Sequence, residues 1–130
     1  MSMTDVTLIP IIGAYCSQVY ITENKEEFYL FFRMIGESQN KLLKFYHEQE
    51  CCEQVFIEDV CGDIKDLMYS PITQAEVVSE QKDARLGDSQ TWTFYKFATA
   101  KGSVTLRWLG ESNGYYSERV DQKIYELIPT

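Results

Sequence analysis

The stretch Arg107-Trp108-Leu109-Gly110-Glu111-Ser112-Asn113-Gly114-Tyr115-Tyr116-Ser117-Glu118 brings one guanidinium, three large aromatic rings, two carboxylates, an amide and two hydroxyls into twelve residues. Each type has a use in holding a small polar ligand. Arg clamps a phosphate or carboxylate with two parallel hydrogen bonds. Trp and Tyr offer flat faces for stacking a base. Glu and Asn match donors and acceptors on a base edge. Arg107, Trp108, Glu111, Asn113, Tyr115 and Tyr116 are therefore candidate ligand-binding residues. Asn113-Gly114 is a strong turn signal, which puts the set at an exposed loop, where function concentrates. The competing reading is a hairpin tip whose rings cover the end of the core.

His47, the single histidine, joins the candidate set. Beside Glu48, Gln49, Glu50 and Glu53 it has the chemistry of a general base, or of hydrogen-bonded structure. The chain has no GxGxxG, P-loop, HExxH or serine elbow. Glu58, Asp59, Asp63 and Asp66 lack the spacing of a calcium loop and read as helix caps and a solvated face. Cys51, Cys52 and Cys61 do not follow the paired spacing of zinc sites, and adjacent cysteines would make a strained bridge. The cysteines, Cys16 included, are expected to be reduced and to act as small buried hydrophobes. No metal and no cofactor is expected.

A net charge of −8, from 20 acidic and 12 basic residues, argues against long nucleic acid as a partner. The acids are interspersed with apolar residues, which disfavours mimicry of DNA. A small anionic ligand would need a local basic wall, drawn from Arg33, Lys41, Lys44, Lys96, Lys101 and Arg107. No apolar run is long enough to span a membrane, and the first residues lack the features of a signal peptide, so a cytoplasmic location is expected.

To position these residues the pattern predicts one α+β domain over 1–130, mainly antiparallel sheet with one short helix, and 1–14 as an N-terminal extension. Residues 5–12 are expected as an initial strand or an extended arm, at an edge because of Pro10, and strands are expected at 15–22, 27–35 and 41–48, these three forming a meander. Strand 27–35 reads as buried on both faces. A short strand around 55–58 precedes a helix at 62–69 with Ile64, Leu67 and Met68 on one side. A strand at 73–80 leads to a polar loop, 81–90, the best candidate for a mobile lid. Strands 91–100 and 103–109 make the clearest hairpin. On its return strand Val104, Leu106 and Trp108 share one face, and Thr105, Arg107 and Leu109 the other. Residues 115–128 end the chain as a strand or extended segment.

The segment His47-Glu48-Gln49-Glu50-Cys51-Cys52-Glu53-Gln54-Val55-Phe56-Ile57-Glu58-Asp59-Val60-Cys61-Gly62-Asp63 resembles a motif of a small-protein family spread through tailed phages and prophages, chiefly recorded as a domain of unknown function. Trp92-Thr93-Phe94-Tyr95-Lys96, Ala98-Thr99-Ala100-Lys101-Gly102-Ser103-Val104-Thr105 and the Arg107–Glu118 stretch agree, so the resemblance covers most of 15–122. The chain departs by its N-terminal extension and by Glu50, where Asp is commoner. It also resembles viral sponge proteins of the anti-CBASS kind, which bind nucleotide alarm signals of bacterial defence. That resemblance implies a non-catalytic phage anti-defence protein. It would sequester a cyclic dinucleotide, or a related signal, in the cytoplasm of the infected bacterium.

A ligand with two bases and two phosphates calls for paired aromatic platforms, cations and edge-reading amides or carboxylates. The Arg107–Tyr116 set supplies these types. A two-fold ligand suits a homodimer, whose isologous interface repeats every contact. Two other readings stay open: a nucleotide-signal hydrolase using His47, and an acidic protein-binding inhibitor of a host defence enzyme.

Overall fold

The computed structural model describes residues 2–3, 8–83 and 87–127. Its strands are β1 (Ser2–Met3), β2 (Ala14–Ile21), β3 (Phe28–Met34), β4 (Lys41–Tyr46), β5 (Gln54–Cys61), β6 (Gln74–Asp83), β7 (Ser89–Thr99), β8 (Gly102–Ser112) and β9 (Asp121–Glu126). They form two antiparallel sheets, in the orders β2-β3-β4-β9 and β1-β6-β7-β8-β5. The β2-β3-β4 meander and the β7-β8 hairpin are the expected ones. The hairpin ladder runs further than expected, from Ser89↔Ser112 to the turn at Thr99↔Gly102.

One sheet contributes Phe28, Leu30, Phe32, Leu43 and Phe45 to the core; the other contributes Val55, Ile57, Tyr95, Phe97, Leu106 and Trp108. Phe45 meets Tyr95 edge-on at 4.7 Å between ring centroids, an arrangement favoured by the ring quadrupoles, and Phe28 reaches Phe97 at 6.3 Å. These contacts join the two sheets face to face.

Three expectations need correction. The domain is nearly all-β, not α+β: the helix expected at 62–69 is a single 3-10 turn, Ile64–Leu67. Asp63 caps its start by accepting from the Lys65 amide at 2.9 Å. It cannot lengthen, because Tyr69 takes a positive φ of 60° and donates its amide to the Cys16 carbonyl at 2.8 Å. β3 is buried on one face, with Phe28, Leu30 and Phe32 inside and Tyr29, Phe31 and Arg33 on the other side. The expected polar loop is largely ladder: 81–83 extend β6 and 89–90 begin β7, while 84–86 lie outside the described residues. Of the 5–12 segment, expected as a strand or an extended arm, residues 8–12 form no strand and place Ile11 in the core; 5–7 lie outside the described residues.

Removing the Phe45 ring should cost about 3–5 kcal/mol, since the side chain is fully buried and seated between the sheets. Ile35→Ala, at a position 66% exposed, should cost under about 0.5 kcal/mol. Urea denaturation of Phe45→Ala and Ile35→Ala checks both; equal losses would contradict this placement of the core.

Candidate functional site

Side chains on β7 alternate between the two faces of the sheet. Tyr95 and Phe97 fill the inner face toward one end of the strand. Toward the other end that face carries Thr93, Thr91 and Ser89, joined by Ser79 and Gln81 of β6. A core built from hydroxyls cannot be closed by apolar packing; its polar atoms must find partners. The loop 113–120 supplies one of them by folding over this end and inserting Glu118, which is 6% exposed. Glu118 Oε1 accepts from Thr91 Oγ1 at 2.7 Å and Ser89 Oγ at 3.2 Å, and Oε2 accepts from Ser112 Oγ. Ser79 and Thr93 share a hydrogen bond at 3.3 Å, and Gln81 donates to Ser89 at 3.2 Å. Gly110 permits the approach: a Cβ there would lie 2.7 Å from the Glu118 Cβ and carbonyl oxygen. Between the hydroxyl strip and the loop remains a cavity of about 290 Å³, also walled by Tyr116, Arg119 and Val120.

A second polar cluster anchors the same loop. His47 donates from Nδ1 to the Arg119 carbonyl at 2.7 Å, and its Nε2 lies 2.7 Å from Glu53 Oε2. Glu53 also accepts from the Glu50 and Cys51 amides at 2.9 and 2.8 Å, and from Gln49 Nε2 at 3.2 Å. Burial opposes ionisation of the Glu53 carboxyl. The hydrogen bonds from His47, Cys51 and Glu50 outweigh that and hold its pKa down to about 2, from an ordinary 4.5. The His47 side chain is 4% exposed and both ring nitrogens have hydrogen-bond partners. His47 ties the β4–β5 connection to the backbone beside Glu118.

The residues that sequence spacing groups into one site do not converge. Arg107 and Trp108 are neighbours on a strand and point to opposite sides of the sheet. Trp108 is 1% exposed inside the core and is no stacking platform. Arg107 lies on the outer face, where its Nε donates to Glu58 Oε2 at 2.6 Å and its guanidinium sits 5.4 Å from the Trp92 ring centroid. Glu58 and Asp59 serve there as its partners, with Asp59 at 3.8 Å. Asn113 spends its side-chain oxygen on the Tyr115 amide at 3.0 Å, an Asx turn. Tyr115 stands 82% exposed, edge-on to Tyr116 at 5.0 Å. Glu111 and Asn113 border a separate cleft with Gln54, Asp88 and Gln90.

Of the candidate set only Tyr116 lines the hydroxyl cavity. None of Arg33, Lys41, Lys44, Lys96, Lys101 and Arg107 lines it; the guanidinium at its rim is Arg119. Glu118, Thr91, Ser89 and Ser79 went unnoticed as site residues. The available signal was Ser89, Thr91 and Thr93 at every second position of a strand that otherwise buries aromatics.

The cysteines also depart from expectation. Cys51 and Cys52 are joined by a disulfide and are exposed, and Cys61 is a free, exposed thiol. Only Cys16 is a buried hydrophobe; burial pushes its thiol up to about 12, far from the reactive thiolate range. Among the described residues no helix is long and apolar enough to cross a membrane.

A family model described as a domain of unknown function (DUF7448) matches residues 19–122. No curated protein and no solved structure matches the chain.

The depressed Glu53 pKa makes stability depend on acid. A carboxyl ionising more readily in the folded than in the unfolded state stabilises fully above the unfolded value of 4.5, and that contribution is lost as pH falls toward about 2. Thermal melts from about pH 6 down to about pH 2 should show a steeper loss of Tm for the wild type than for Glu53→Gln. Parallel curves for the two proteins would remove Glu53 as the source.

Proposed function

The chain belongs to the DUF7448 family, and we propose that it sequesters a small nucleotide-class signal in the hydroxyl-lined cavity under the 113–120 loop, without cleaving it. The observation that carries this reading is the buried Glu118 carboxylate, held by three hydroxyls at the wall of an open cavity. Hydroxyls donate and accept, so a rim of them matches ribose hydroxyls and base edges alike. Tyr116 offers a ring face, and Arg119, whose side chain is 73% exposed, stands at the rim for a phosphate. It now pairs with Asp121 at 3.1 Å, a surface contact weak enough to be exchanged.

The cavity, about 290 Å³, sits at the lower limit of the roughly 300–1,000 Å³ usual for small-molecule sites. It suits one nucleoside unit of such a signal. A cyclic dinucleotide would then be shared by two copies of the chain, each taking one half, which favours a homodimer with a two-fold axis through the ligand. Sequestration is preferred over hydrolysis because the one histidine has both ring nitrogens committed to structural partners. The resemblance to viral sponges supplies the setting: a phage anti-defence protein acting in the cytoplasm of an infected bacterium.

Incubation with a panel of cyclic nucleotides, followed by heat release, checks the reading directly. Intact ligand should return from the wild type. Altered ligand would mean turnover, and no retention of any nucleotide would leave an acidic inhibitor of a host protein as the better account. Tyr116→Ala should weaken retention by roughly 5- to 150-fold, the loss of about 1–3 kcal/mol of stacking. Arg107→Ala, on the opposite face of the sheet, should bind as the wild type does.

A further inference from the structure

The outer face of the β2-β3-β4-β9 sheet carries a second chemistry that shares no residue with the cavity. Its inward positions are the buried Phe28, Leu30, Phe32, Leu43 and Phe45, so the register defines what points out. One outward row crosses all four strands as Tyr20–Tyr29–Lys44–Lys123. The next contains Phe31, Leu42 and Tyr125. Tyr20 and Tyr29 stack at 5.9 Å between centroids, and Tyr20 is 49% and Tyr125 37% exposed. Lys44 and Lys123 are directly opposite each other in the antiparallel register.

Like charges at opposed positions destabilise a sheet unless an anion lies nearby. Lys44 has Glu27, at 2.9 Å; Lys123 lies over the Tyr125 ring, 5.2 Å from its centroid. Of this opposed pair Lys44 has a carboxylate partner, and among the described residues Lys123 has none within ion-pair distance. The same face also carries Arg33 and Asp121, so it holds three cations against two carboxylates in a chain whose net charge is −8.

We propose that this face is a stacking platform for a short unpaired stretch of nucleic acid, with bases on Tyr20, Tyr29 and Tyr125 and the backbone phosphates on Lys44 and Lys123. Adjacent strands lie about 4.8 Å apart, so the four-strand row spans roughly 14 Å, enough for two or three nucleotides. Aromatic rings on an open sheet accept any base, because every base has a π-face. The general acidity of the protein excludes long tracts by repulsion while leaving this local contact intact. An acidic peptide would use the lysines but leave the rings idle, so the rings favour nucleic acid. Net charge opposes extended polyanions, whereas the sheet register fixes the position of each cation.

Fluorescence anisotropy with labelled oligo-dT and oligo-rU of about twelve nucleotides tests this at low salt. Saturable binding is expected, falling with salt at a slope of about −0.7 per neutralised phosphate. Tyr20→Leu keeps an apolar side chain but no stacking face, and should weaken binding about tenfold. Lys123→Glu should weaken it at least as much. Lys96→Glu, on the outer face of the other sheet, should have no effect; circular dichroism spectra confirm that all three variants fold. The proposal is overturned if neither oligonucleotide binds, if Lys96→Glu weakens binding as much as Lys123→Glu, or if polyglutamate competes as well as unlabelled oligonucleotide. A cyclic nucleotide held in the cavity should leave oligonucleotide binding unchanged, and displacement of the oligonucleotide by it would overturn the assignment to this face.

Discussion

The burial of Val104, Leu106 and Trp108 along one face of β8 constrains everything built on that strand. Side chains two apart share a face, so once these three are in the core their neighbours must face outward. Arg107 is thereby placed against Glu58 and Trp92 on the far side of the sheet. Shifting the register by one residue to bring Arg107 inward would expose Trp108 and bury a guanidinium, two losses with no compensating gain. A site that needs both residues is incompatible with the fold, whatever their nearness in sequence.

The same alternation produces the cavity. β7 continues its inward series past Phe97 and Tyr95 into Thr93, Thr91 and Ser89, so the core changes from aromatic to hydroxylic along a single strand. Buried hydroxyls need partners, and Glu118 brings a carboxylate that accepts from three of them. A buried carboxylate in turn needs those donors. The loop 113–120 and the polar end of the sandwich thus stabilise each other. His47 and Glu53 extend the linkage from the Arg119 carbonyl to the β4–β5 connection. Loops pinned by buried hydrogen-bond networks hold their geometry without a ligand, which lowers the ordering cost of binding one.

Two surfaces then carry different chemistry. The cavity is small, concave and largely neutral apart from Glu118 and Arg119, suited to discriminating donors and acceptors. The outer face of the four-stranded sheet is open, aromatic and locally cationic, suited to tolerant stacking. Neither could be recognised from overall charge, because a net value says nothing about which face holds which residue.

Strand content, the β2-β3-β4 meander and the β7-β8 hairpin are legible in the amino-acid order, because period-two alternation and the turn at Lys101-Gly102 are local properties. The two faces of the 103–109 strand are legible for the same reason. The apolar spacing at 62–69 is helical, but the Tyr69 backbone is committed to Cys16, a contact many residues away, so only a 3-10 turn forms. The convergence of Glu118 with Thr91 and Ser89 spans separations of 27 and 29 residues, and His47 with Arg119 spans 72. Sequence determined which side chains alternate and where strands run. Only the pairing of distant strands decided which of them meet, since sheet register and loop docking are set by non-local burial that no short window contains.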